Sequence, residues 1–375
     1  MSANFEIIAT LKAAKETDAF KPFEVRDFDS GWQNTRYRFN AISGNNRFML
    51  EIGGGKWKDD KKNRILTFSR AETGKKPEKL EVKWEDRRNP DVIAKVAGFR
   101  IYTCNLLTFD ERKALEDEGK EDEAKKKNHQ FLEKTEFATL VKKVVDSDKY
   151  KDVKFRILGT VDFQYSESKG QYYRTLSVDK MYKVADDTPY KAEMTINTFY
   201  TEDAIDDESY DENKKMLFSC YTDYYFSSIK DNRFVPMTLV ISGNGDEKAE
   251  KKALAFKKKL TTFDDEATVR KCGLVCQMID GAEEQAITYD DLDEDTRDNI
   301  DMGLIELEDA IKALGGSMYG DRITEYRVQS LARNSAKGSE ATVYTEDDLK
   351  KLPVANDEED EDEDVDIFDE DSDDI

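Results

Sequence analysis

The sequence predicts a mainly β protein with helical insertions, of the α+β class, ending in a disordered acidic tail. Three observations carry this reading. Segments in which apolar and polar residues alternate, bounded by Gly, Asn and Asp turns, recur from residue 36 to residue 330. Apolar spacing of three and four residues is confined to a few stretches. From Asn356 onward, low hydrophobicity and like charges leave nothing to build a core with.

Residues 1–20 read as an arm or short first element. Arg36-Tyr37-Arg38-Phe39 alternates, with rings on one side and guanidiniums on the other. Ser43-Gly44-Asn45-Asn46 is a turn signal, and Phe48, Leu50 and Ile52 then share a face opposite Arg47, Met49 and Glu51. A hairpin of Tyr37–Ile42 against Arg47–Ile52 follows, ended by Gly53-Gly54-Gly55. Arg64–Ser69 is a strand. Pro90 suits a first helical position, with Val92, Ile93, Val96 and Ala97 as its apolar face. Phe99–Leu106 returns to strand character. In 108–147, Thr108 and Glu111 have capping-box spacing, and Phe137, Leu140, Val141, Val144 and Val145 form a helical stripe.

Val153–Tyr165 is the clearest strand, with Phe155, Ile157, Gly159, Val161 and Phe163 on one face; its central glycine marks a bulge or bend. Gln171–Val184 returns beside it. Met194–Tyr200, Lys215–Phe226 and Phe234–Ser242 continue the strand pattern around an acidic loop, Asp203–Glu212. Glu247–Leu260 is a Lys-rich helix, Thr268–Met278 a strand, Leu304–Leu314 a helix and Arg322–Ser330 a closing strand. The string Ile-Ser-Gly-Asn recurs at 42–45 and 241–244, a short repeat that would suit two related units. Up to residue 107, several strands, the short helix at Pro90 and then a strand is the order of an OB-type barrel, and the expectation for the chain is one or two OB-like antiparallel barrels. The expected division is 1–107 and 150–335 as β-rich regions, 108–149 as a helical connector, and 336–375 as linker and tail.

Charge and composition narrow the function. The chain of 375 residues is 38% apolar and 38% charged, with a net charge of −23. Between Asp357 and Ile375 stand 14 acidic residues and no basic one, which leaves −9 on the rest, mild enough to permit a local basic groove. No apolar run approaches a membrane span, and Met1–Thr10 lacks a secretory pattern. Cys104, Cys220, Cys272 and Cys276 have no framework spacing and read as reduced thiols, which points to a cytoplasmic protein.

Catalytic motifs fail one by one. His129, the single histidine, sits beside Lys125-Lys126-Lys127 and reads as part of a solvated helix face. Gly55-Lys56 is followed by Trp57, where a phosphate-binding loop needs Ser or Thr. Asp291, Asp293 and Asp295 lack the glycine and the final glutamate of a calcium loop, since Thr296 and Met302 stand there. No metal, cofactor or catalytic residue is expected.

What remains is a binding pattern. Holding a single nucleic-acid strand takes rings on which bases stack and cations along the phosphates. Trp32, Arg36, Arg38, Arg47, Lys56, Trp57 and Lys58 cluster in the first β region, and Lys154, Arg156, Tyr172, Arg174, Lys180 and Tyr182 in the second. Tyr172, Arg174, Lys180 and Tyr182 share parity and line one face if no bulge intervenes. The plainer reading of each ring is core, and of each cation the wet side of a strand; Phe39, Phe48, Phe155 and Phe163 are assigned to the core outright. In the tail, Asp366, Ile367 and Phe368 place an apolar pair within carboxylates, a pattern suited to docking on a partner or to competing for a basic groove.

Together, the strand Phe155-Arg156-Ile157-Leu158-Gly159-Thr160-Val161, its partner Tyr172–Tyr182 and the tail Asp366-Ile367-Phe368 resemble those of single-stranded DNA-binding proteins of bacteria and bacteriophages. The layout is most similar to the larger phage-encoded members. The resemblance implies an OB barrel on single-stranded DNA and a tail that recruits replication or recombination proteins. The tail departs from the bacterial pattern in lacking a Pro-Phe tip and running on to Asp373-Asp374-Ile375. The competing expectation is an acidic interaction or assembly protein, such as a DNA mimic, that binds no nucleic acid.

Overall fold

The computed structural model describes residues 3–71, 75–263, 267–286, 289, 292–313, 317–335 and 338–354. In chain order the first half contains β1 (Asn4–Ala13), β2 (Phe23–Asp27), β3 (Trp32–Ser43), β4 (Asn46–Trp57), β5 (Arg64–Phe68), β6 (Lys79–Lys83), α1 (Pro90–Ile93) and β7 (Tyr102–Asn105). Then come α2 (Phe109–Asp117), α3 (Glu121–Lys127), β8 (Asn128–Phe131), α4 (Lys134–Val145), β9 (Lys154–Ser166) and β10 (Gln171–Lys183). The second half holds β11 (Lys191–Tyr200), β12 (Ile205–Asp206), α5 (Tyr210–Asn213), β13 (Lys215–Phe226), β14 (Asp231–Ser242), α6 (Glu247–Thr261) and β15 (Arg270–Ala286). It continues with α7 (Glu294–Asp301), α8 (Leu307–Ala313), β16 (Ser317–Leu331), β17 (Glu340–Ala341) and α9 (Glu346–Lys350).

Apart from the β5–β6 pair, these strands form one large mixed sheet that closes on itself twice. In the first ring β1 pairs with β3, β3 with β4, β4 with β10 in parallel, β10 with β9, and β9 with β1. In the second, β11 pairs with β13, β13 with β14, β14 with β16 in parallel, β16 with β15, and β15 with β11. Each ring carries a helix between its third and fourth strands, α4 and α6. The rings are joined by antiparallel pairing of β1 with β11 over Asn4–Ile8 and by β4 meeting β15 at Asn46 and Gly281.

Alternation fills the rings. Tyr37, Phe39, Phe48, Leu50, Ile52, Phe155, Ile157 and Val161 are buried in the first, with Phe137, Ala138 and Val141 of α4 packed on the same core. Met216, Phe218, Leu239, Ile241, Leu274 and Cys276 fill the second. All four cysteines are free, buried and on strands, and burial pushes the Cys104 and Cys276 thiols up to about 12. No helix is long and apolar enough to cross a membrane among the described residues.

Several expectations change. Of the two readings for the first residues, an arm or a first element, the structure shows the element, a core strand: Phe5, Ile7, Ala9 and Leu11 of β1 are buried. Gly53-Gly54-Gly55 does not end its strand but lies within β4, because a Cβ at Gly54 would stand 2.7 Å from that of Lys134 and one at Gly55 would enter the Trp32 ring. The helical stretch 108–147 is interrupted by β8, which puts His129 on a strand opposite Cys104. Phe99 lies in a 3-10 turn ahead of β7. Residues 150–335 do not form one ring by pairing, since β9 and β10 complete the ring begun by β1. The two Ile-Ser-Gly-Asn strings end β3 and β14, the second strand of one ring and the third of the other, so they mark no equivalence.

Candidate nucleic-acid interface

The expected face of β10 is split by a bulge. Val178 is opposite Gly159 and Lys180 is opposite Leu158, leaving Asp179 as the extra residue. The missing side chain at Gly159 admits the Ser177 carbonyl and the Phe5 ring. Lys134 of α4 holds the bulge, its Nζ donating to Ser177 Oγ at 3.2 Å and lying 3.3 Å from Asp179. Burial opposes the Lys134 charge, but Tyr102, Asp179 and Asp162 outweigh it and keep the ammonium above its ordinary range. Parity inverts past the bulge, so Tyr172 and Arg174 face away from Lys180 and Tyr182. That corrects the expectation of one shared face.

Tyr172 and Arg174 instead line a cavity of about 840 Å³ at the junction of the rings. One wall is the β9–β10 hairpin with Phe163, Tyr172, Tyr173 and Arg174; the other is formed by β13, β14 and β16. Alternation turns Lys215 and Leu217 of β13 toward the cavity, with Pro236 and Thr238 of β14 beside them. The Arg174 guanidinium lies 4.6 Å from the Tyr326 ring centre, and Tyr173 is 43% exposed. Glu325 pairs with Lys215 at 2.9 Å and Arg327 at 2.6 Å. Burial alone would raise its carboxyl, but those two cations hold it below the usual range. Burial keeps the Tyr172 and Tyr326 phenols at about 12, so both rings are neutral at ordinary pH. Aromatic contacts knit the hairpin to the second ring: Phe163 to Tyr224 at 5.3 Å and Tyr172 to Phe226 at 6.3 Å.

The outer side of the second ring continues beyond the cavity to Tyr221 and Phe234, with Phe199 of β11 alongside. There the C-terminal segment crosses it. The Tyr344 ring lies 4.9 Å from Phe234 and 5.7 Å from Phe199, Leu349 of α9 is buried, and Arg233 Nε donates to the Leu352 carbonyl at 3.3 Å.

The remaining expected residues divide by partner. Arg156 donates to both oxygens of Glu6, at 2.9 and 3.2 Å, and Lys154 to the carbonyls of Asp186 and Thr188, so both hold the fold locally. Arg36 pairs with Glu51 at 3.2 Å and Lys58 with Asp27 at 3.0 Å. Arg38 lies over Phe20 and donates to the Lys21 carbonyl, while Arg47 donates to Asn40. Trp32 and Trp57 meet edge to face at 5.3 Å, and Lys56 sits 5.9 Å from the Trp84 ring. Lys180 and Tyr182 stand on the far face of β10. Asp366, Ile367 and Phe368 lie outside the described residues. Among those described, no three His, Cys, Asp or Glu side chains group as metal ligands would.

The sequence reading missed Tyr173, Lys215, Leu217 and Tyr326. The outward parity of Lys215 and Leu217 was legible; that this side of β13 abuts the β9–β10 hairpin was not.

No family model matches the chain, and no curated protein matches it in sequence. Among solved structures, a deletion mutant of the single-stranded DNA-binding protein from Thermus aquaticus is similar at 8% identity. The alignment covers 74% of this chain and 86% of that one, with a TM-score of 0.29. With superposition that loose, function is read from this chain's own residues.

Proposed function

We propose that this chain is a non-catalytic, sequence-tolerant single-stranded DNA-binding protein built on two OB-type barrels, residues 3–183 and 191–354. The ring order supports the barrel assignment: five strands, a parallel closing pair and a helix after the third strand, twice over. In OB folds the second and third strands and the loop between the fourth and fifth carry the ligand. The cavity brings neighbouring parts together across two units: β13 and β14 are the second and third strands of one ring, and Phe163, Tyr172, Tyr173 and Arg174 flank the turn between the last two strands of the other.

One observation carries the reading: neutral tyrosines gather with Arg174 in a cavity between the rings, beside the Lys215–Glu325 pair. Rings stack bases of any identity and cations follow phosphates, which gives affinity without sequence choice. A role in phage-type replication or recombination, a cytoplasmic location and partner recruitment through Asp366, Ile367 and Phe368 complete the proposal on the strength of the sequence. The test is fluorescence anisotropy of labelled oligo-dT against duplex at several salt concentrations. Preference for the single strand with a log–log salt slope near −0.7 per phosphate is expected; no salt-sensitive binding would end the proposal.

The second reading, an acidic interaction or assembly protein, is favoured by the pairing of Arg36, Lys58, Arg156 and Lys215 with carboxylates. It predicts no DNA affinity and a protein partner captured through an acidic face.

A further inference from the structure

Between β4 and β7 the chain leaves the first ring and changes its electrostatic character. Residues 58–101 carry 13 basic and 8 acidic side chains, a net +5 in a chain of −23. This segment has a small core of its own, in which Val82, Ile93, Val96 and Ile101 pack with Leu132 beneath the β5–β6 pair. Arg87 and Arg88, both bonded to Glu136, tie it to α4.

Alternation turns Ile65, Thr67, Leu80 and Val82 toward that core. The opposite face should then be polar, as the solvated side of an antiparallel pair is. It is only partly so: Leu66 on that face is 42% exposed, and Phe99, whose ring meets that of Phe68, is 52% exposed. Phe99 is held there because the chain after α1 runs along the end of β5, with Ala97 N–H donating to the Phe68 carbonyl at 2.8 Å and Arg70 N–H to the Lys95 carbonyl at 2.7 Å. The Phe68 and Phe99 rings stand 6.1 Å apart, and the Arg100 guanidinium is 5.2 and 5.6 Å from them. Lys79 and Lys83 are exposed on the same face, where Glu81 is engaged by Arg64 at 3.0 Å.

We propose that this outer face of β5–β6, centred on Phe68, Phe99 and Arg100, is a separate binding surface for single-stranded nucleic acid. The choice of occupant follows from charge complementarity. An exposed ring, Phe99, beside the half-buried Phe68 on a positive segment suits a ligand that is both planar and polyanionic. Unpaired bases stack on the rings while the phosphates meet Arg100 and Lys83. The surface does not depend on the cavity between the rings, so either can fail alone.

The test uses the full-length protein and oligo-dT carrying 5-iododeoxyuridine, irradiated and mapped by peptide mass spectrometry. Crosslinks to the peptide containing Phe99, and about tenfold weaker binding of a long oligo-dT by the double variant Phe99→Ala/Arg100→Ala, are the expected results. Both side chains are exposed, so the variant keeps its core. Unchanged affinity with crosslinks only near Tyr172–Arg174 would overturn the second surface and leave the first. In a parallel reaction with a zero-length carbodiimide, an amide crosslink from Lys79 or Lys83 to the chain's own 357–375 segment, with DNA affinity unchanged, would give the face to that acidic segment and overturn the proposal. No binding of oligo-dT by the wild type would overturn both surfaces.

Discussion

The carbonyl oxygen of Ser177 occupies the space that a Cβ on Gly159 would need. This close approach lets β10 gain Asp179 without leaving β9, and it decides which side chains of β10 reach the cavity. Gly159→Ala is therefore expected to destabilise the protein by about 3 kcal/mol through overpacking against backbone that cannot swing aside. Urea unfolding followed by tryptophan fluorescence measures this, and a loss below about 0.5 kcal/mol would show that the approach is easily relaxed.

Tyr173→Ala and Arg174→Ala should each weaken oligo-dT binding several-fold, and Arg174→Ala should also make the salt slope shallower by about 0.7. Arg156→Ala, which removes only a partner of Glu6, should leave binding unchanged and cost at most about 1 kcal/mol of stability. The contrast separates side chains that face the ligand from those that hold the sheet.

Lys351 and Thr345 hold the Asp348 carboxyl down at about 2, below its ordinary 3.8. A depressed acid contributes its full stabilisation above the unfolded value and loses it as pH falls through the folded one. The capping of α9 should thus survive to about pH 4 and be lost by about pH 2. Trypsin cannot report at that pH, so pepsin cleavage around Leu349 over this window is the measurement; a rate flat in pH, after correction for pepsin's own profile, would contradict it.

Removing residues 357–375 deletes 14 negative charges. Oligo-dT binding should tighten at low salt and converge with the wild type at high salt, because screening removes the repulsion. Equal affinity at all salt concentrations would show that the segment does not act on the groove.

Much of the fold was legible where alternation is strong. The pairings from Tyr37–Ile52 to Ile42–Arg47 in the β3–β4 hairpin, and the burial of Phe155, Ile157 and Val161, follow from period-two patterning, whereas its continuation through the glycines to Trp32–Trp57 does not. The Thr108–Glu111 capping box formed as spaced. What was not legible was long-range: that β1 is central, and that β9 closes on β1 rather than on later strands. No local pattern encodes which strands meet. Within the candidate site, Tyr172 and Arg174 were found by their type and parity, whereas Lys180 and Tyr182 were misplaced by one bulge residue. The partners of Arg156 and Lys154 come from residues 6 and 186–188, which spacing alone does not connect.

The pairing of β1 with β11 has a mechanical consequence. Backbone hydrogen bonds run unbroken from one ring into the next, so the halves are not beads on a string but a single welded frame. Separating them would mean tearing ladder bonds out of both at once. Such a frame fixes the distance between the two rings.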